Sequence, residues 1–253
     1  EASMNNITLE IDGTKGKDYI VSSLQKDWGE YLIYHVKNVP ETDYISFYEN
    51  LASKLGRIED CRPVNEKSKN FSKSRDIRPD PDVYHFYAAN TRQPLHTDYA
   101  YFPSEKSPDW VLMYCLEPSE LGGTTRFISV NKLKKIMKKY NPSLLEKLSV
   151  EVTWSYVGED GDEIHQKPIM IDERINWNYW QIKSNLNSKF IMEIREEFFK
   201  FLEDAIMAGG IYDFSKVWNR GDVVIFNDKK TLHGRDSFLG NRWLKDHAMF
   251  NHK

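Results

Sequence analysis

Apolar and polar residues follow one another in short runs along most of the chain, and Gly, Pro and Asn break the runs at close intervals. The runs 83–88, 110–116, 124–129, 150–157, 175–182, 222–226 and 243–250 are of strand length and rich in β-branched and aromatic residues. Many short strands set off by turn residues predict a sandwich, barrel or jelly roll. Three segments carry helical spacing instead. Phe47, Leu51 and Leu55 recur every four residues. In 131–140, Leu133, Ile136 and Met137 share one side and five lysines occupy the rest, which reads as a solvated helix face rather than a binding patch. In 188–207, Ile191, Ile194, Phe198, Leu202 and Ile206 form an apolar stripe, so its aromatics read as core. Residues 59–82 are polar, charged and interrupted by proline, which predicts a long surface loop and a candidate active-site lid.

Composition narrows the picture. With 253 residues, 40% hydrophobic and 13% aromatic, the chain can bury one sizeable core, and 1–253 reads as a single domain. A net charge of -3 gives no reason to expect nucleic acid or an anionic membrane as partner. No apolar run reaches the length of a membrane span. Residues 1–16 are polar and lack the apolar segment of a signal peptide, so a cytoplasmic location is expected. Met4 reads as the native start, with Glu1, Ala2 and Ser3 a cloning remnant. Cys61 and Cys115 are expected to be reduced; neither has a partner at zinc-site spacing, and Cys115 sits in an apolar run that reads as core.

Candidate chemistry begins at Pro94-Leu-His-Thr-Asp-Tyr99. On an extended strand, residues i and i+2 face the same side, so His96 and Asp98 could aim an imidazole and a carboxylate at one cation. His233 would complete a facial set of two histidines and one carboxylate, which leaves coordination positions open and suits Fe(II). Taken alone the pair is weak evidence, because a surface histidine and a turn aspartate produce the same spelling.

The context is more specific. The segment Asn90-Thr-Arg-Gln-Pro-Leu-His-Thr-Asp-Tyr-Ala-Tyr-Phe102, followed by Met113-Tyr-Cys-Leu116 and Gly122-Gly-Thr-Thr125, resembles the taurine dioxygenase (TauD/TfdA) superfamily. So does Gly221-Asp-Val-Val-Ile-Phe-Asn-Asp-Lys-Lys-Thr-Leu-His-Gly-Arg-Asp-Ser-Phe238 with Arg242 after it. The sub-pattern is similar to the γ-butyrobetaine and trimethyllysine hydroxylases and to the clavaminate synthase-like branch. The resemblance implies a mainly β fold with flanking helices, a double-stranded β-helix or jelly roll. It implies Fe(II) held by His96, Asp98 and His233, and 2-oxoglutarate held by Arg242, whose planar guanidinium matches a carboxylate. It places Thr125 on the same carboxylate, with Thr124 the adjacent alternative. Asn90 could reach the co-substrate or cap a turn. Arg235 could share the pocket or form a structural ion pair with Asp236 or Asp228. The remaining histidines, His35, His85, His165, His247 and His252, match no motif.

The implied reaction uses O2 and 2-oxoglutarate to oxidise a substrate C–H bond. Halogenating relatives have a small residue where this chain has Asp98, so hydroxylation is the default, with desaturation and cyclisation open. The carnitine-pathway enzymes carry a cysteine-rich zinc module; with two cysteines this chain reads as a minimal catalytic domain. Taurine dioxygenase has a second arginine four positions after the co-substrate arginine, and here that position is Asp246. A carboxylate there disfavours a sulfonate and predicts a small amine-bearing substrate, amino-acid-like or derived from one. Trp177 could add a cation–π surface, or be ordinary packing. Asp246 could equally point away and pair with Lys245. The rival readings are a non-catalytic, cupin-like metal-binding protein, for which Arg242 and Thr125 would have no use, and a zinc hydrolase, for which no general-base motif is present.

Overall fold

The computed structural model describes residues 7–40, 43–58, 62–63, 71–83, 85–158 and 160–251. In chain order the principal elements are β1 (Thr8–Asp12), α1 (Lys17–Lys26), β2 (Ile33–Lys37), α2 (Tyr44–Leu55), β3 (Arg57–Ile58) and β4 (Arg75–Ile77). They continue with β5 (Gln93–His96), β6 (Trp110–Glu117), β7 (Thr125–Ser129), α3 (Val130–Tyr140), α4 (Pro142–Lys147), β8 (Glu151–Gly158) and β9 (Gly161–Pro168). The last are α5 (Lys189–Phe201), β10 (Phe214–Lys216), β11 (Val223–Asn227), β12 (Thr231–Arg235) and β13 (Trp243–Phe250).

The fold is mainly β with flanking helices. A larger sheet runs β1-β2-β11-β6-β13-β3, with β4 also paired to β13; a smaller one runs β10-β7-β12-β5. Side-chain alternation stacks these sheets into layers. Along β11, Val223 and Ile225 pack with α1 and α2, while Val224 and Phe226 face the smaller sheet. Along β6, Trp110, Leu112 and Tyr114 take the helix side, and Val111, Met113 and Cys115 the inter-sheet side. Both faces are covered, so these strands read as near-continuous apolar runs. The smaller sheet divides in the same way: Phe127 of β7 faces the larger sheet, while Ile128 and Leu232 face α3, α4 and α5.

Local signals explain the helices. The side chains of Asp43, Ser129 and Ser188 each accept a backbone N–H of the first turn of α2, α3 and α5. The stripe of α5 continues into a π-helical stretch, Leu202–Met207, where Leu202 and Ile206 stay buried.

Three expectations need correction. Residues 83 and 85–88 form no strand: Phe86–Ala88 is a 3-10 turn. Residues 175–182 hold only the short strand Arg174–Ile175 and a 3-10 turn at Tyr179–Gln181, because the Asn178 side chain caps that turn by accepting from Trp180 N–H at 3.2 Å. The segment read as a lid ends in regular structure, since β4 pairs with β13 through Arg75↔Asp246 and Ile77↔Leu244. Residues 59–61 and 64–70 of that segment, with Cys61, and likewise residues 1–6 and His252, lie outside the described residues. Cys115 is buried, as expected.

Candidate active site

The site lies between the two sheets, where β5 and β12 pair antiparallel and His96 and His233 are direct cross-strand partners. Gly234 makes this closeness possible. A Cβ there would meet Gln93 O at 2.9 Å and Leu95 N at 3.2 Å. The two imidazoles tilt toward each other with centroids 4.3 Å apart. Behind His233 stand Phe226 and Phe127, at 4.8 and 5.9 Å between centroids, which exclude water from that side of the ring.

Asp98 reaches the histidines by a route the spacing did not indicate. Strand β5 stops at His96, and Asp98 opens the turn that follows. Buried Asp228 fixes that turn by accepting the Asp98 N–H at 3.0 and 3.1 Å and the Tyr99 N–H at 3.2 Å. Asp98 Oδ1 then lies 3.2 Å from His96 Nε2 and 3.4 Å from His233 Nε2. One ligand atom from each of the three residues falls within 4.8 Å of the others.

These residues suit a cation for a specific reason. His96 Nδ1 lies 2.8 Å from the Pro94 carbonyl, to which only an N–H can be donated. In the neutral ring, Nε2 therefore carries a lone pair and faces an Asp98 oxygen that is also electron-rich. Gln93 Nε2 lies 3.2 Å from the same His96 nitrogen, and a metal ion between His96 and Asp98 would resolve the clash. Burial pushes the Asp98 carboxyl pKa up, but His233, His96 and Arg75 outweigh burial and hold it well below the usual range. Burial, then the neighbouring His96, push the His233 pKa down. Both shifts favour the protonation states in which these groups bind metals.

The same pocket is lined by Arg242, Thr125, Arg235, Gln93, Arg75, Tyr87, Ile77, Met113 and Asp246. Arg242 is 3% exposed, and burial pushes its pKa down to about 9. Its Nη2 donates to the Gly123 carbonyl and the Thr125 hydroxyl, each at 3.3 Å. No carboxylate pairs with it among the described residues, so a buried cation faces the pocket ready for an anion. Gly123 leaves room for it: its φ is +79°, and a Cβ would come within 3.1 Å of Arg242 Nε. Thr125 Oγ1 also accepts from Trp218 Nε1 at 2.9 Å. Thr125 lines the pocket and Thr124 does not.

Other candidates fall elsewhere. Trp177 is 1% exposed, packs against the tilted Phe198 ring at 4.6 Å between centroids, and its backbone N–H and carbonyl bond the Thr97 hydroxyl and N–H, so it is core packing rather than pocket wall. Asn90 is exposed and outside the pocket lining; its carbonyl accepts from Phe238 N–H. Arg235 pairs with neither Asp236 nor Asp228. It donates to the carbonyls of Phe86, Ala89 and Thr91 at 3.2, 3.0 and 2.6 Å, while Asp236 is held by Arg126. Asp246 does not pair with Lys245, which bonds Asp76 instead; it is buried in the pocket wall and paired with Arg75 at 3.1 Å. Arg75 carried no sequence signal inside a segment read as loop. Asp228 had one, as a carboxylate five residues before His233 in the second matching block.

A family profile, that of the taurine catabolism dioxygenase TauD, TfdA family, matches residues 6–246. The chain belongs to this family. It is accordingly a 2-oxoglutarate-dependent dioxygenase. Among solved structures, an asparagine oxygenase in complex with Fe(II), 2S,3S-3-hydroxyasparagine and succinate is 15% identical with a TM-score of 0.66, the match covering 91% of this chain and 78% of that one. PvcB from Pseudomonas aeruginosa is 15% identical with a TM-score of 0.61, covering 96% and 85%. The non-haem iron oxygenase OrfP in complex with Fe and α-ketoglutaric acid is 13% identical with a TM-score of 0.60, covering 93% and 79%. These likenesses are of fold. No sequence among curated proteins matches the chain. No helix among the described residues is long and apolar enough to cross a membrane.

Proposed function

We propose that this chain is a single-domain Fe(II) oxygenase that hydroxylates a small, amine-bearing, amino-acid-like molecule. His96, Asp98 and His233 hold the iron, and Arg242 with Thr125 holds the far carboxylate of 2-oxoglutarate. The observation that carries this reading is a buried, carboxylate-free guanidinium in the same pocket as three converging metal-ligand side chains. A bare metal-binding protein has no use for such a cation, whose burial costs stability unless a ligand offsets it. The two facing sheets support the double-stranded β-helix as the frame of the site. The fold neighbours support the substrate class, since their complexes contain hydroxylated asparagine and arginine.

Iron and 2-oxoglutarate, when bound, supply the oxidising power: R–H, O2 and 2-oxoglutarate give R–OH, succinate and CO2. The protein's part is placement. Pro94 fixes the His96 tautomer, and Asp228 fixes the turn that carries Asp98. Arg242 and Thr125 set the distance between the co-substrate's carboxylate and the metal ligands. Ile77, Tyr87 and Met113 wall the space left for substrate. Succinate release from 2-oxoglutarate with added Fe(II) and ascorbate, scored over taurine, aryloxyacetates, γ-butyrobetaine and free amino acids, tests the reading. Turnover coupled to taurine alone would overturn the substrate class, and absence of succinate with every compound would overturn the enzyme reading.

A further inference from the structure

We propose that Trp218 is a positioning residue for the co-substrate: its indole N–H orients the Thr125 hydroxyl so that the hydroxyl donates into the pocket. This rests on the oxygenase reading above, in which Thr125 and Arg242 hold the far carboxylate of 2-oxoglutarate. A hydroxyl has one hydrogen to donate and two lone pairs that accept. Both lone pairs of Thr125 are engaged. Trp218 Nε1 donates to Oγ1 at 2.9 Å, and Arg242 Nη2 donates to it at 3.3 Å. Neither an indole N–H nor a guanidinium accepts anything in return. The Thr125 hydrogen therefore points away from both, and among the described residues no acceptor takes it. Thr125 lines the same pocket as the three converging metal-ligand side chains and Arg242. Its hydrogen is left for an anion held there.

The fold holds the indole in place from behind. Thr125 and Lys216 are cross-strand partners on β7 and β10, which brings Trp218, two residues further on, to the threonine. Lys216 Nζ pairs with Asp222 Oδ2 at 2.6 Å, and both residues are buried. The same Asp222 oxygen accepts the Asn219 N–H at 3.3 Å, and the Asp222 N–H returns to the Asn219 carbonyl at 3.1 Å. The turn that carries Trp218 is thus pinned on both sides of the ring. Trp218 itself is buried, so giving up its bond to Thr125 would strand a polar N–H away from water. A hydroxyl without this bias can turn a lone pair toward a carboxylate oxygen, which repels it. A donated hydrogen makes a charge-assisted bond instead. Trp218 sets that choice before the anion arrives, so less freedom is lost on binding.

Calorimetry on the whole Fe(II)-loaded chain under anaerobic conditions tests this. 2-Oxoglutarate is titrated into the native protein first, and absence of binding there overturns the oxygenase reading together with this one. Trp218 is then replaced by its benzothiophene isostere, introduced as a non-natural amino acid, which keeps the shape of the ring and has sulfur in place of the N–H. We expect 2-oxoglutarate affinity to fall by about tenfold, with Fe(II) affinity unchanged. Trp218→Phe should show the same loss; the isostere fills the original space and decides the matter where that variant fails to fold. The replacement is then repeated in Thr125→Val. An N–H that acts through the hydroxyl has nothing left to orient in that background, so the further loss should vanish. A purely structural tryptophan would give losses that add. Native 2-oxoglutarate affinity in the isostere, or the full further loss in Thr125→Val, overturns the proposal while the oxygenase reading stands.

Discussion

His96 and His233 are cross-strand partners on β5 and β12, and their Nε2 atoms converge on a single oxygen of Asp98, at 3.2 and 3.4 Å. A sheet brings two such residues together only when the register is held. Here Gly234 holds it by letting the strands approach where a side chain would collide with Gln93 and Leu95.

This pairing makes metal binding the first measurable consequence. A ligand that binds only the folded state stabilises it, by about 2.7 kcal/mol at a hundred times its Kd. Fe(II) under anaerobic conditions should raise the melting temperature of the native chain. His233→Ala should abolish the rise while the metal-free protein still melts cooperatively. An undiminished rise in that variant would remove His233 from the ligand set.

Arg242 should govern 2-oxoglutarate affinity without touching the metal. Losing one charge-assisted pair costs about 1.5–3 kcal/mol, or roughly ten- to a hundred-fold in affinity. Arg242→Met keeps the buried bulk and removes the charge. Calorimetric titration of the Fe(II)-loaded variant should show this loss with Fe(II) affinity unchanged. If 2-oxoglutarate binds as before, the pocket's other guanidiniums become the candidates.

Much of this site was legible in the sequence, and the reason is local. The three residues proposed as iron ligands and Arg242 sit in two contiguous blocks whose spelling is tied to the chemistry proposed for them. The apolar runs of β6 and β11 announced strands because both of their faces are covered. What stayed hidden depends on distant pairing. Arg75 becomes part of the pocket only because β4 joins the edge of the larger sheet at Asp246. Trp177 and Asn90 looked available for binding, but packing on Phe198 and exposure outside the pocket decided their places. β5 ends two residues before Asp98, too early for strand alternation to explain it, and a turn positions it instead.

His35 gives the fold a dependence on acid. The ring is buried on β2; among the described residues neither nitrogen makes a hydrogen bond, and Nδ1 lies 3.6 Å from Glu10 Oε2. Burial, then the charge of Lys216, lower its pKa from the usual 6.5 to about 4, against the opposing pull of Asp222 and Glu10. The folded state therefore keeps the ring neutral over a range where the unfolded chain binds a proton. Stability is full above pH 6.5 and falls as the pH drops toward 4, by up to about 3 kcal/mol from this group at roughly 1.4 kcal/mol per unit. His35→Leu puts an apolar side chain in the site and removes the titration. Its stability relative to the native chain, from urea denaturation, should rise by that amount between pH 7 and pH 4.5. A difference that does not change with pH would show that His35 contributes nothing to acid sensitivity.

Asp228 should prove necessary to the metal site although it is not a ligand. Its two oxygens accept the N–H groups of Asp98 and Tyr99, and Oδ1 stands 3.9 Å from His233 Nδ1. It thereby touches the turn that carries one ligand and flanks the ring of another. Asp228→Ala strands two backbone donors in a buried turn, at about 1–3 kcal/mol each, and mixes folding with function. Asp228→Asn is the cleaner probe, because its amide oxygen still accepts an N–H while the negative charge beside His233 is gone. Outer partners of metal ligands typically contribute about ten- to a hundred-fold in metal affinity. We expect Asp228→Asn to lose Fe(II) affinity in that range, measured by anaerobic titration, with a much smaller change in urea midpoint. A variant that loses stability yet binds Fe(II) as tightly as the native chain would reduce Asp228 to a turn cap.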